Sequence, residues 1–416
     1  MRLTVVTRHL DEDRPLIDLV PVRDASVWLR DGDGLVAWGE AVRLEPGSGP
    51  HRFAAAHTDL DEIAASARID DEVRRPGTGL VAFGTFAFDD QDTGSALVVP
   101  RVIVGRREGV TWLTRIEPAD AGREVPGPAR TTLPAPPRDR PRYAGSSKPD
   151  LHWLEAVAEA IARIRAGRLE KVVLARDLAV WSKEPFDALD LARRLTVRFP
   201  HCHTFVADGL VGATPELLLA RSGHHVVSRV LAGTTGRSVD EADDAALGAA
   251  LLASDKDRHE HALAAASVAE VLGPRCGPLA HDPEPRLLRL DNVQHLVTTF
   301  EGQLHDPVGS LDLVGVLHPT AAVGGTPRTT AIDTIRELEG MDRDRYAAPV
   351  GWTDAAGDGE WGIALRCAEL AGARARLFAG VGIVAGSLPE DELEETRLKL
   401  LAMQAVLGDP GGPDGP

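Results

Sequence analysis

A stretch rich in proline, arginine and serine, residues 126–149, divides the chain into two parts with different hydrophobic patterns. Before it, residues 1–125 contain short apolar segments typical of β-strands, separated by glycine, aspartate and proline. After it, helical and strand-type segments are mixed. Because such a run of breakers interrupts regular structure, the stretch is either a linker between two domains or a long surface loop within one.

The part of the chain from residue 150 to residue 407 begins with the spacing of an amphipathic helix at 151–166. Asp150 is positioned to cap this helix, and Gly167 to end it. Further helices are predicted at 59–75, 243–272 and 388–407, and strands at 80–88, 96–105, 110–116, 171–180, 287–302 and 374–384. The glycine- and proline-rich tail, residues 408–416, is predicted to be disordered.

The net charge of the 416-residue chain is −17, which argues against nucleic acid as a partner. An anionic substrate would be repelled overall and would need a local cluster of lysine, arginine or metal ion. Cys202, Cys276 and Cys367 are too scattered for a disulfide framework or a zinc ribbon, and we expect reduced thiols. Since no apolar run reaches the ~18 residues of a membrane span, and the N-terminus lacks a signal pattern, we expect a cytoplasmic protein with no membrane partner.

Two predicted helices each carry acidic residues on one face. Asp257 and Glu260 are three residues apart, and Glu392, Glu395 and Lys399 follow one another at intervals of three and four. If the two faces meet, their carboxylates can hold Mg²⁺, which prefers oxygen ligands. The alternative is two solvated faces, the commoner arrangement on surface helices. A zincin site is not indicated, because the histidines of the segment HEH are two residues apart and not four.

Three further residues are candidates for acid–base chemistry and anion binding. Lys171 opens a predicted buried strand; such a lysine is usually solvated, but in a closed pocket it is a usable general base. Glu216 follows Pro215 just before an apolar run, so it is either a turn residue or a general acid. Arg366 lies in a predicted buried strand, ALRCA, where its charge would need an anion and its planar fork suits a carboxylate.

A series of short blocks, in this order, resembles the chorismate-utilising enzymes and, within them, the isochorismate synthases most closely. The blocks are EKVVLAR (170–176), GATPELLL (212–219), LAGTTGR (231–237), SDKDRHEHAL (254–263), LHPTAAVGGTP (317–327), VGWTD (350–354), GEWGIALRCAEL (359–370), AGVGIV (379–384) and ELEETRLKLL (392–401). The resemblance implies one large α+β fold, with stacked, mostly antiparallel sheets, helices outside and the active site in a central cleft. Residues 1–125 would be a divergent, β-rich portion of that fold, and 150–407 its chorismate-binding catalytic region.

The resemblance also implies a reaction and its catalytic residues. Lys171 would activate a water molecule that adds at C2 of chorismate, and Glu216 would protonate the C4 hydroxyl as it leaves. The product would be isochorismate. The implied Mg²⁺ ligands are Glu260 and Glu395, with Asp257 and Glu392 in outer positions.

The substrate-binding residues follow from the same resemblance. Arg366 would hold the enolpyruvyl carboxylate of chorismate. The glycines of AGVGIV would let backbone N–H groups approach the substrate closely. The other implied residues are Thr234, His318, Gly380, Gly382 and Lys399.

Three alternatives accompany this hypothesis. A salicylate synthase would retain the same lysine base and then eliminate pyruvate; the full LHPTAAVGGTP and GEWGIALRCAEL blocks favour an enzyme that stops at isochorismate. Anthranilate and aminodeoxychorismate synthases commonly need a glutaminase, for which this chain has no suitable cysteine. An inactive relative would lack one of four residues that are all present, namely Lys171, Glu216, Glu260 and Glu395. The resemblance suggests a monomer and leaves open whether menaquinone or siderophore biosynthesis is supplied.

Overall fold

The structure is a computed structural model, which describes residues 2–118, 125–129 and 140–408. Its strands are β1 (Leu3–His9), β2 (Ala25–Arg30), β3 (Asp33–Leu44), β4 (Arg68–Asp71), β5 (Val81–Thr85), β6 (Ala96–Arg107), β7 (Val110–Pro118), β8 (Arg142–Gly145), β9 (Lys171–Trp181), β10 (His203–Ala207), β11 (Leu210–Thr214), β12 (Leu217–Ser222), β13 (His225–Gly236), β14 (Ala280–His281), β15 (Arg286–Arg289), β16 (Val293–Gln303), β17 (Gly325–Thr326), β18 (Pro349–Asp354), β19 (Gly359–Ile363), β20 (Cys367–Ala371) and β21 (Arg374–Ile383).

The helices lie mostly in the second part of the chain. They are α1 (Arg52–Ser66), α2 (Asp150–Arg165), α3 (Ala188–Arg198), α4 (Glu241–Ala253), α5 (Asp255–Leu272), α6 (Ser310–Leu317), α7 (Arg328–Leu338) and α8 (Pro389–Gly408), with short 3₁₀ helices at Leu16–Leu19 and Gly273–Arg275. None of the described helices is long and apolar enough to cross a bilayer.

The strands form one hydrogen-bonded network whose described pairings are antiparallel, apart from the parallel pair of β1 and β4. Strands from the two parts of the chain pair directly: β5 with β18, placing Phe83 opposite Trp352, and β2 with β10, placing Trp28 opposite Phe205. The predicted α+β fold with mostly antiparallel sheets is confirmed. The breaker-rich stretch therefore joins two parts of one hydrogen-bonded structure, although residues 130–139 of it lie outside the described residues.

Two hydrophobic cores lie against the strands. The larger contains aromatic side chains such as Trp352, Trp361 and Phe86. The smaller contains residues of α3 and α8 packed against the ends of β9 and β21. These two strands pair along ten positions, from Val172 opposite Ile383 to Trp181 opposite Arg374. A long, rigid strand pair thus carries Lys171 at one end.

Several predicted boundaries were wrong. The helix expected at 59–75 is α1, which ends at Ser66 because the following residues pair with β1. The single helix expected at 243–272 is two, because the hydroxyl of Ser254 accepts a bond from the Asp257 amide at 3.2 Å and caps a new helix. The strand expected at 287–302 is the hairpin of β15 and β16.

The ends of the predicted helices also differ in detail. Pro149, and not Asp150, occupies the cap position of α2, and the Asp150 carboxylate instead accepts from Arg176 and, at 3.0 Å, from Arg397. Helix α8 includes Gly408, which we had assigned to the tail. The remaining tail residues, 409–416, lie outside the described residues.

Candidate active site

A narrow cavity of about 70 Å³ lies between β9, β13, β21 and helices α5 and α8. Residues predicted separately along the sequence meet at its wall, although they come from six different segments. Those that line it are Glu216, Thr234, Glu260, Arg366, Gly380, Gly382 and Lys399. The cavity is therefore the candidate active site.

Arg366 is buried at the cavity wall, with 8% of its surface exposed. It lies in the turn between β19 and β20, with a φ of 46°, so our placement of this residue in a strand was wrong. Its guanidinium donates to Nε2 of the buried His295. Because that nitrogen accepts, Nδ1 of His295 carries the proton and donates to the Gly233 carbonyl at 3.3 Å and to the Thr234 hydroxyl at 3.1 Å.

The charge of Arg366 has no carboxylate partner within ion-pair distance among the described residues. Burial lowers the pKa of Arg366, and burial beside this guanidinium lowers the pKa of His295 well below its ordinary value, so His295 is neutral. A buried guanidinium held by a neutral ring is a strong site for an anion. The local cation that an anionic substrate requires is thus present.

Glu216 is buried to 3% exposure and immediately precedes β12. Its position is set by the preceding turn, where its amide donates to the Thr214 hydroxyl at 3.2 Å. Burial raises the pKa of its carboxyl to about 8, against the opposing charges of Lys171, Arg366 and Lys399. The carboxyl is therefore protonated at neutral pH and can donate that proton.

Lys171 is fully buried at the first position of β9, and its Nζ lies 3.1 Å from Oε1 of Glu260. It is not itself part of the cavity lining, but it lies against two residues that are. A Cβ placed on Gly382 would stand 2.0 Å from Glu260 Oε1 and 2.9 Å from Lys171 Cε. Because glycine has no side chain, position 382 leaves room for Glu260 and Lys171 to lie next to the strand at the cavity wall.

Three carboxylates gather between α5 and α8. Lys256 Nζ lies 2.7 Å from Glu392 Oε1, and Lys399 Nζ lies 2.8 Å from Glu395 Oε1. Burial opposes the charge of Lys256, but the charges of Glu392, Glu395 and Glu260 outweigh it and raise the pKa of Lys256. Burial, and then the charge of Glu395, raise the pKa of Glu392 to about 7.

These carboxylates have the chemistry of a site for a hard cation. In this structure lysine ammonium groups supply the positive charge that balances them. The donors are carboxylate oxygens, which Mg²⁺ prefers. In the part of the chain that the structure describes, no three histidine, cysteine, aspartate or glutamate side chains are already grouped as a ready metal site. The residues fit Mg²⁺ in type, and binding would require the ammonium groups to give way.

Two predicted residues lie elsewhere. The Asp257 carboxylate accepts from the Ser254 hydroxyl and takes part in the start of α5. His318, expected as a wall of the substrate pocket, does not line the central cavity. Its ring packs edge-on against Phe88 and lines a separate cavity, because the LHPT segment turns away before Ala322 reaches the site.

Sequence reasoning missed two polar side chains of the cavity wall. His295 lies in the segment NVQHLV, where a histidine within an apolar strand is the only local signal. Tyr346 stacks on Phe378 with ring centroids 4.9 Å apart, and the burial of the hydroxyl raises its pKa. Nothing in the neighbouring sequence marks Tyr346, since its position depends on a contact with a distant strand.

Comparison with known proteins agrees with this site. A family model described as chorismate binding enzyme matches residues 27–408. The chain belongs to the chorismate-binding enzyme family. Within this family it is 44% identical, over 62% of its length and 67% of the other's, to isochorismate synthase DhbC of Bacillus subtilis. It is 35% identical to the salicylate biosynthesis isochorismate synthase of Pseudomonas aeruginosa, over 93% of this chain and 85% of that protein.

A solved member of the chorismate-binding family has the same fold. The structure of MenF, the menaquinone-specific isochorismate synthase of Escherichia coli, superposes with a TM-score of 0.81 at 25% identity, covering 97% of this chain and 94% of the other. The agreement extends over both parts of the chain. Since the match covers 97% of this chain, it includes described strands from both parts.

Proposed function

We propose that this member of the chorismate-binding family is an isochorismate synthase, which converts chorismate into isochorismate. Water adds at C2, the ring double bonds shift, and the C4 hydroxyl leaves as water, so no oxidant or reductant is needed. The observation that carries the proposal is the meeting at one cavity wall of a protonated Glu216 and of Arg366, which has no carboxylate partner among the described residues. The names of the relatives support it.

The acid–base roles follow from the positions of two buried groups. Glu216 holds a proton at neutral pH and gives it to the C4 oxygen as the C–O bond breaks. Lys171 takes the proton of the attacking water and must be a neutral amine when it does so. In the present structure its Nζ lies 3.1 Å from Oε1 of Glu260, and that carboxylate would be given up to the cation proposed below. Burial of both groups excludes bulk water, so proton transfer is confined to the bound ring.

Substrate positioning is assigned to the cations of the wall. Arg366 binds the enolpyruvyl carboxylate, because its fork matches two oxygens and no protein carboxylate competes nearby among the described residues. Lys399, whose Nζ also donates to the Gly380 carbonyl at 2.9 Å, contributes a second positive charge. Thr234 orients His295 and thereby Arg366.

We further propose that Glu260 and Glu395 hold Mg²⁺, with Glu392 adjacent. When bound, the ion neutralises the ring carboxylate of the substrate and fixes that end of the ring. Lys171 and Lys399, which are paired with these two carboxylates, would then lose their present partners, whereas Lys256 is paired with Glu392. Asp257 remains part of the helix start.

The experiment is incubation of the purified chain with chorismate, with and without Mg²⁺, followed by chromatography. We expect isochorismate to accumulate only with Mg²⁺, without pyruvate. Salicylate together with pyruvate would replace the proposal by a salicylate synthase. No consumption of chorismate, with ammonium salt also present, would contradict any synthase activity. The relatives include enzymes named for menaquinone and for salicylate biosynthesis, and we propose that the product enters menaquinone or siderophore biosynthesis.

A further inference from the structure

A second cavity, of about 440 Å³, lies away from the candidate active site between α1, α6, α7 and the segment that follows β5. Its volume is within the range of ~300–1,000 Å³ that is common for small-molecule sites. The residues that matter for its chemistry are Arg52, Phe53, Phe88, His318, Arg328 and Ile332. The proposed reaction uses none of them.

Two arginines in this cavity lack carboxylate partners. Only 5% of the surface of Arg52 is exposed, and its guanidinium donates to two backbone carbonyls at 3.2 and 3.3 Å. Arg328 donates to carbonyls at the C-terminal end of α6 at 3.1 and 3.2 Å. Neither forms an ion pair within the described ranges, 2–118, 125–129 and 140–408.

The acidic residues of the cavity all contact a third arginine. Arg336 binds the Asp89 carboxylate through two bonds of 2.6 Å and contacts Asp90 and Asp333 at 3.2 Å. The acids are therefore gathered at one corner. The guanidinium groups of Arg52 and Arg328 remain available to an external anion.

His318 adds a buried hydrogen-bond acceptor. Its Nε2 lies 3.1 Å from the Phe88 carbonyl and must donate, because a carbonyl only accepts. Burial, together with the charges of Arg52 and Arg328, lowers the pKa of His318 to about 3, so the ring is neutral. Its Nδ1 is thus an acceptor, and this atom has no partner among the described residues. The residue is nevertheless buried, with 5% of its surface exposed. Such an atom calls for a donor.

The remaining walls are apolar and partly aromatic. Phe53 and Phe88 both belong to the lining, with Pro319 and Ile332 beside them. The guanidinium of Arg52 lies 4.7 Å from the centre of the Phe53 ring, which fixes its plane. A flat hydrocarbon body would therefore be accommodated next to the cationic groups.

We propose that this cavity is a second small-molecule site, which binds a hydroxylated aromatic carboxylate. The carboxylate pairs with Arg52 and Arg328, and the ring lies against Phe53 and Phe88. The hydroxyl donates to Nδ1 of His318, an atom that is buried in the unliganded chain and that a shift of the imidazole ring would expose to the cavity. The site is independent of the proposed reaction, since binding requires no turnover.

The test is calorimetric titration of the full chain with 4-hydroxybenzoate. Two variants alter the cavity at exposed positions of α7: Arg328→Gln removes one cation, and Thr329→Trp fills the entrance. We expect saturable binding to the unmodified chain and a loss of affinity of about tenfold or more in each variant, because a charge-assisted bond or the space itself is removed. Both variants should retain their circular dichroism spectrum and their chorismate turnover.

A matched control separates this cavity from the candidate active site. Arg366→Ala removes the anion-binding group of the central cavity and should leave the affinity for 4-hydroxybenzoate unchanged. The uncharged 4-hydroxybenzamide should bind at least about tenfold more weakly than the acid. The proposal is overturned if the unmodified chain shows no saturable binding at millimolar ligand, or if Arg366→Ala abolishes binding while Thr329→Trp preserves it.

Discussion

At the scale of single residues, the site works by withholding water from groups that normally ionise. Glu216 keeps its proton, His295 stays neutral, and Arg366 has no carboxylate within ion-pair distance among the described residues. Each condition costs stability, because burial without a matching partner is unfavourable. Each also prepares the group for a substrate that supplies what is missing. Function and stability should therefore respond oppositely to the same substitution.

Glu216→Gln should remove the general acid while keeping the size of the side chain. We expect kcat to fall by ~10²–10⁴-fold, the usual contribution of a general acid. In the unmodified enzyme the acid is protonated below its pKa of about 8, so turnover should decline as the pH rises above that value. The measurement is kcat against pH for both forms. A retained high-pH decline in the variant would assign that limb to another group.

The same substitution should stabilise the folded chain at high pH. The pKa of Glu216 rises from 4.5 to about 8 on folding, so its contribution to stability is complete below pH 4.5 and is lost as the pH rises through 8. Glutamine has no such loss. In thermal melts, the Tm of Glu216→Gln relative to the unmodified chain should therefore increase between pH 5 and pH 9. An offset that does not depend on pH would contradict the burial argument.

Lys171→Ala should abolish turnover and leave chorismate binding largely intact. The lysine lies against the cavity wall but is not part of its lining, whereas Arg366 is. We expect kcat to fall by at least ~10²-fold with little change in the dissociation constant, which calorimetry with chorismate measures. Arg366→Lys is the complementary variant and should chiefly raise KM, because a point charge cannot replace the guanidinium fork. Activity above a tenth of normal in Lys171→Ala would refute its role as base.

Much of the site at this scale could be predicted from sequence motifs. Glu216, Glu260, Arg366 and Lys399 were placed together because the order of their blocks is specific, and the structure brings them to one cavity. His295 could not be found that way, since its importance arises from a bond to Arg366 across 71 positions of the chain. The prediction that His318 lines the central cavity was wrong, because a motif shows which segment a residue belongs to but not the direction in which its side chain points.

At the scale of secondary-structure elements, the pair of β9 and β21 determines how closely the reactive groups approach. Gly382 lies opposite Val173 in this pair, and its missing side chain is the space that Glu260 and Lys171 fill. The strand pairing was predictable from two apolar runs. The close contact with α5 was not, because it depends on how a helix is docked onto the strands.

Gly382→Ala should displace the Glu260 carboxylate, because the new methyl group would stand 2.0 Å from its Oε1. We expect the free energy of unfolding to fall by ~1–3 kcal/mol, as is usual for overpacking, and turnover to fall with it. Gly386→Ala is the matched control, since the nearest atom to its added carbon is 3.9 Å away. Urea denaturation and kcat of both variants provide the measurement. Equal behaviour of the two variants would contradict the close approach.

Element boundaries illustrate a different limit of sequence reasoning. The apolar spacing continues from α4 into α5, so periodicity alone indicated one helix. The break is made by a single hydroxyl, that of Ser254, which bonds to the first turn of α5. A serine before three charged residues was a visible capping signal, but the continuing hydrophobic pattern concealed it.

At the scale of the whole molecule, strands β2 and β5 of the first part of the chain pair directly with strands of the second part. Phe83 and Trp352 are opposite each other in paired strands, and Trp28 also donates to the Glu360 carboxylate at 2.9 Å. The overall α+β class was predictable through the family resemblance. Strand order and register were not, because pairs so distant in sequence leave no local pattern.

A fragment consisting of residues 150–408 should therefore fail to fold by itself. Removal of β2 and β5 exposes edges of β10 and β18 and opens both hydrophobic cores. We expect an insoluble product, or a soluble one without a cooperative thermal transition, by circular dichroism. Co-expression of residues 1–149 should restore solubility. A fragment that melts cooperatively by itself would show that the two parts are separate domains.

The segment from His318 to Thr326 touches both cavities. His318 lines the larger one, Ala322 and Val323 line the central one, and Thr326 pairs with Lys171. A shift of this segment would move part of the wall of both cavities, and thermodynamic reciprocity would then apply. A ligand at His318 that changed the affinity for substrate by some factor would have its own affinity changed by the same factor when substrate binds. A chain saturated with chorismate would then report, through its affinity for an aromatic acid, how strongly the two cavities communicate.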